Sequence, residues 1–462
     1  MRLTWAQPED LLPHEFVQSS AEGLDIAPWL QRWVEAGGDP IPAVSGASQV
    51  PASPELRELA RKLLAEIDES IAANSDDEPN DWESIRALID TDSALFCRAD
   101  SQYRRRVYGA WLGRSVGCLL GKPVEKIPRE GIEEILRATG RWPLQSWFTE
   151  VGLPAEVARR WPWNRRSAPV ALEENISGMP EDDDLNYPIL ALELVEDRGP
   201  DFTTDDVATL WLNSLPAGRA FTAERAAYRN ILDARPVPET ATHLNPFREW
   251  IGALIRADLF GWINPGSLDT AVNMAWRDAR LSHTRNGIYG AMWSAALCWA
   301  SLGASTVEEV LDEAIKVVPP KSRLHAAITF GRDLGRQCEL SGDDAETDVR
   351  IALDSLHEEY GHLHWVHVLN NAATIAFALS AGKGNFVTSI SLAVTAGWDT
   401  DSVGATVGAV VGALAEGDID SYWTEPIEGR IATSVPAKNL TDGSLAIAGL
   451  VERTCALGDR RS

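Results

Sequence analysis

The chain has 462 residues, 45% of them hydrophobic, enough for a sizeable core in one large domain with an extension or in two to three smaller ones. Its formal net charge of −26 repels phosphate backbones and anionic lipid, which argues against nucleic-acid and membrane partners. Five scattered cysteines without a C-x-x-C, no apolar leader after Met1, and no run near the roughly 20 apolar residues of a membrane span point to a soluble, reducing, cytoplasmic setting.

Residues 1–100 read as a helical N-terminal extension of unassigned role. Ser53-Pro54-Glu55 opens its clearest helix, with a hydroxyl cap, Pro in the first turn, and Leu56, Leu59, Leu63, Leu64 and Ile67 on one face. A Pro/Ser/Gly/Ala stretch (Pro40–Pro54) and an acidic, turn-rich one (Ala73–Asp81) flank it. Residues 101–462 read as one domain in which helix follows helix. Pro188–Glu196, Asp205–Leu215, Pro246–Phe260, Asp269–Leu281, Gly290–Leu302, Val307–Val317, Asn370–Leu379 and Ser402–Leu414 all carry apolar residues three and four apart. Thr203-Thr204-Asp205-Asp206 combines capping hydroxyls with acidic first-turn residues. Period-two alternation is scarce, so the expected fold class is all-α.

Three stretches carry chemistry. In Gly113-Arg-Ser-Val-Gly117-Cys-Leu-Leu-Gly121-Lys-Pro-Val-Glu125, glycines four apart leave a smooth stripe on a helix, suited to close approach of another backbone or a ligand. Glu125 falls just past Pro123, at the helix end. Pro180-Glu181-Asp182-Asp183-Asp184 pools mutually repelling carboxylates before the apolar helix Tyr187–Val195, where the helix dipole alone would also favour negative charge. In Gly397-Trp398-Asp399-Thr400-Asp401-Ser402, two carboxylates alternate with hydroxyls before an uncharged Gly/Ala helix. These are hard oxygen donors of the kind Mg²⁺, Mn²⁺ or Ca²⁺ require, and a buried helix start carrying two carboxylates calls for a cation. His357, His362, His364 and His367 lack the spacing of a helical zinc pair and read as surface or loop residues.

In order and spacing, these three stretches resemble the ADP-ribosylglycohydrolase family, whose pattern runs roughly G-x-x-x-G-D-x-x-G-x-P-x-E, T-D-D-T, then G-x-D-T-D-T with a Gly/Ala helix. Asn245 to Asp258, Leu281 to Met292 and Asn370-Asn371 resemble one bacterial branch of it, and the likeness runs from about residue 104 to about 450. The resemblance implies a single large helical domain with a metal cleft, two Mg²⁺ ions (Mn²⁺ as the alternative), and hydrolysis of a glycosidic bond of ADP-ribose. The partner would be an ADP-ribosylated protein or an ADP-ribose-like small molecule. It assigns Glu181, Asp182, Asp183, Asp399, Asp401 and Ser402 to the metals and Glu125 and Asp183 to catalysis. Gly117, Gly121, His283, Asn286 and Gly287 would then bind substrate. The departures are Glu181 and Asp184 in place of Thr, Cys118 in place of Asp, and Ser402 in place of Thr. They leave open hydrolysis of another N-ribosyl or nucleoside-like compound, or a non-catalytic ADP-ribose-binding protein.

Overall fold

A computed structural model describes residues 3–70, 77–95, 97–164, 167–342 and 344–460. The first part of the acidic Ala73–Asp81 stretch, residues 73–76, lies outside these. Among the described residues the fold is all-α, apart from one antiparallel pair of three-residue strands, Arg430–Ala432 and Ser444–Ala446. No described helix is long and apolar enough to cross a membrane.

The capping signals act as their chemistry requires. The Ser53 side chain accepts from Leu56 N at the start of helix Pro54–Asp68, and Thr203 with Asp206 forms a reciprocal capping box at Thr204–Ser214. The Pro246–Phe260 stretch departs from expectation. It is irregular to Trp250, then a 3₁₀ segment Ile251–Arg256, then a short helix Asp258–Trp262. Here Arg248 and Arg256 are buried and spent on carboxylates, so the segment follows its ion pairs rather than its apolar period.

The contact that positions the rest is between helices Ser101–Gly121 and Thr400–Leu414, which run antiparallel. Gly109, Gly113 and Gly117 of one face Gly412, Gly408 and Gly404 of the other. A Cβ on Gly117 would lie 1.9 Å from the Gly404 carbonyl oxygen, so only glycine allows this approach. At the end of the seam the Thr400 hydroxyl donates to the Gly121 carbonyl at 2.8 Å. The last turn of the first helix is thereby fixed beside the first turn of the second, 279 positions later in sequence.

The extension is packed into this body through buried charge pairs. Arg248 is held by Glu15 at 2.9 Å and Glu22 at 2.8 Å, and Arg323 by Glu78 at 2.7 Å. Trp5 packs edge-on against Phe247 and Trp250.

Candidate metal centre

Three chain segments deliver acidic groups to one cavity of about 640 Å³. The first leaves helix Ser101–Gly121 through a 3₁₀ turn, Lys122–Val124, whose Pro123 ends the helix and releases Glu125 in an extended conformation. The Asn164 side-chain amide donates to the Glu125 carboxylate, and Lys126 Nζ lies 3.1 Å from its other oxygen.

The second is Glu181–Asp184, at the start of helix Asp183–Arg198. Asp182 is the N-cap and accepts from Asp184 N at 2.9 Å. The third is the turn before helix Thr400–Leu414, where Gly397 and Trp398 both adopt positive φ. A left-handed Trp is costly, and stacking on His357 at 4.1 Å between ring centroids holds it. This turn aims Asp399 and Asp401 back into the cavity.

Two groupings result. Oxygens of Glu125, Asp399 and Asp401 lie within 4.8 Å of one another, as do ligand atoms of Cys118, Asp182 and Asp184. These acidic clusters are placed to hold a metal ion. Burial first, then the neighbouring carboxylates Glu125 and Asp182, pushes Asp401 up to about 7. Asp399 and Asp183 are driven well above the usual carboxylate range, again by burial first and then by acidic neighbours, Asp401 among them. Against the cost of burial, the Lys122 ammonium holds Asp182 below its ordinary value.

The assigned residues divide. Glu125, Glu181, Asp182, Asp183, Asp399, Asp401 and Ser402 all line the cavity. Asp183 and Ser402 belong to neither grouping among the described residues, and nor does Glu181. Its carboxylate is taken by Arg219 at 2.6 Å, Asn186 at 3.1 Å and the Ser434 backbone N–H at 3.0 Å. Ser402 donates its hydroxyl to Asp184 at 3.2 Å. Asp184 in turn faces the fully buried Arg114, which also donates to its carbonyl and pairs with Asp258.

The residues expected to bind substrate are not brought together in this cavity. Gly117 and Gly121 are spent on the helix seam and do not line the cavity. His283 lines a separate cavity of about 440 Å³ with Arg235, Arg248 and Arg285. Asn286 is fully buried and bridges Glu249 and Leu324 N, and Gly287 abuts the Arg248 carbonyl. Of the histidines read as surface residues, His367 is 3% exposed and caps helix Val368–Gly382, and His364 stacks on Trp250.

Sequence reasoning missed Lys122 and Arg114, both inside a quoted motif, and the wall supplied by the extension. Thr4, Trp5 and Ser45 line the same cavity as the carboxylates. They are held there by Arg225, which donates to the Thr4 carbonyl at 2.6 Å, and by Trp365, which donates to the Val44 carbonyl at 2.9 Å. Nothing local in the N-terminal sequence signals these contacts.

A family model described as ADP-ribosylglycohydrolase matches residues 99–455. The chain is 26% identical over 190 residues to an uncharacterized protein of Archaeoglobus fulgidus. That alignment covers 41% of this chain and 57% of the relative, little more than half of its length. A solved ADP-ribosylglycohydrolase-related protein complex is similar at TM-score 0.46 and 20% identity, over 79% of this chain and 100% of that one.

Proposed function

The chain belongs to the ADP-ribosylglycohydrolase family, and from that premise we propose that it hydrolyses the glycosidic bond joining ADP-ribose to a protein side chain or a small acceptor. The observation that carries this reading is convergence. Carboxylates from positions 125, 181–184 and 399–401 line one cavity whose volume suits a nucleotide-sized ligand.

Glu125, Asp399 and Asp401 would hold a divalent cation, Mg²⁺ or Mn²⁺. They are hard oxygen donors within 4.8 Å of one another, and burial with mutual repulsion leaves Asp399 and Asp401 in need of positive charge. When bound, the ion orients ribose hydroxyls and a water and offsets the carboxylates' charge.

The rest is done by the protein's own groups. Asp183 or Glu125 takes a proton from the attacking water. Burial raises Asp183 well above its ordinary value, which makes it a strong base once it is ionised. The bond from the anomeric carbon to the acceptor breaks, the bond to the water oxygen forms, and the proton passes through the carboxyl to the departing group. Positive charge that builds on the sugar as the bond breaks is stabilised by the surrounding carboxylates. Lys126 and Arg219 stand at the cavity wall, where they provide local positive charge for a diphosphate on a chain of net charge −26.

The test is release of ADP-ribose from a modified protein and from small ADP-ribosyl compounds, with Mg²⁺ and with chelator. Asp399→Ala and Asp401→Ala are expected to lose metal binding and turnover together. The loss should exceed the roughly 10–100-fold typical of a residue that only orients a ligand. Full turnover by either variant in chelator would remove the proposal.

A further inference from the structure

We propose that Lys122 is a built-in cation occupying one of the two positive positions of this cleft, so that the chain takes up one divalent ion and not two. The proposal rests on the metal-centre reading above and concerns how that centre is filled.

Charge is balanced differently in the two groupings. In the first, Asp182 has a cation of its own, and Asp184 shares one with Asp258. Lys122 Nζ pairs with Asp182, Arg114 pairs with Asp184, and both cations come from one stretch of chain. Lys122 is a genuine resident of the site: its side chain is 11% exposed and that of Asp182 4%. Its backbone is fixed by the 3₁₀ turn that Pro123 imposes and by the packing of Gly121 against Thr400, which sets the root of its side chain beside the cleft. The remaining ligand atom is the Cys118 sulfur, a soft donor poorly suited to Mg²⁺. A second divalent ion here would have to displace the ammonium from Asp182, leaving a largely buried lysine without its carboxylate, while Arg114 kept Asp258.

The second grouping is different. Among the described residues, its one ion pair is Glu125 with Lys126, whose side chain is 36% exposed and lies 3.1 Å away, while Lys122 acts on Asp401 at longer range. The buried pair Asp399 and Asp401 has no protein cation within salt-bridge reach among the described residues. One divalent ion is what this half lacks. A lysine is a suitable substitute in the other half because its ammonium is a compact point charge on a chain long enough to reach Asp182 from the helix end.

Stoichiometry and spectroscopy decide this without reference to turnover. Full-length protein is equilibrated with Mn²⁺, and bound metal is counted by calorimetry and elemental analysis. Electron paramagnetic resonance then distinguishes an isolated Mn²⁺ from a coupled pair. The wild type is expected to bind one ion with an isolated signal, and Lys122→Arg to do the same. Lys122→Ala and Lys122→Gln, which remove the charge, are expected to admit a second ion and give a coupled signal. Two ions in the wild type would overturn this inference while leaving the metal-centre reading in place. No ion in the wild type would overturn both. If both neutral variants keep their fold by circular dichroism yet still bind one ion, the role given to Lys122 is wrong. If neither folds, the wild-type and Lys122→Arg counts still decide, since either binding two ions refutes the inference.

Discussion

Arg114 shows how much of the site depends on a residue that touches no substrate. It is fully buried and bonded to the Asp184 carboxylate and carbonyl, to Asp258 and to the Ile255 carbonyl. Arg114→Met keeps volume but leaves two buried carboxylates without their cation. It is expected to destabilise the fold by about 3–5 kcal/mol, read as the shift in urea denaturation, with Asp258→Asn giving a smaller loss. Asp399 and Asp401 were legible in the sequence, because two carboxylates beside hydroxyls at the start of an uncharged helix call for a cation. The acidic run 181–184 gained its meaning from the family resemblance, since a helix dipole alone would favour it. Arg114 and Lys122 were not legible, although both lie in the same quoted motif. Their partners stand 60 to 144 positions away, and no local pattern says that a basic side chain at a helix end turns inward.

Among the elements, the glycine seam between Ser101–Gly121 and Thr400–Leu414 sets the distance between Glu125 and the Asp399–Asp401 pair. Gly117→Ala puts a methyl group against the Gly404 carbonyl and is expected to cost about 1–3 kcal/mol by forced separation of the helices. Divalent-metal affinity should fall with it. Gly449→Ala provides the contrast. It sits inside helix Ile447–Gly458 with nothing within 4 Å of a new Cβ, so a gain of about 0.4–1 kcal/mol is expected. Thermal denaturation of the two variants, with Mn²⁺ titration of the first, checks both. Glycines four apart disclosed the seam's smooth face but not which surface meets it. Periodicity likewise located most helices and failed at Pro246–Phe260, where Arg248 and Arg256 bind buried carboxylates and dictate the backbone course. Gly117 and Gly121, expected at the ligand, are consumed by the same seam.

For the molecule as a whole, acidic pH acts through histidines sealed inside the junction between extension and body. Burial lowers His14 to about 4 and His367 to about 3, below the ordinary 6.5 of an unfolded chain. The unfolded state therefore takes up protons first. The stability these neutral rings contribute is complete above pH 6.5 and is lost as pH falls toward 4. For His14 the loss is expected to be about 2 kcal/mol at pH 5, and His14→Phe should flatten that part of the curve in urea titrations at pH 7 and 5. The same junction gives the extension's contribution to the cleft a practical meaning. The family model matches residues 99–455, yet Thr4, Trp5 and Ser45 wall the acidic cavity, Glu15 and Glu22 pair with Arg248, and Glu78 joins Glu249 on Arg323. A fragment trimmed to the matched segment would carry every carboxylate of the centre while breaching the chamber around it and leaving the buried Arg248 without Glu15 and Glu22, whereas Arg323 would keep Glu249. Part of the chamber wall thus comes from residues outside the stretch that the family model matches.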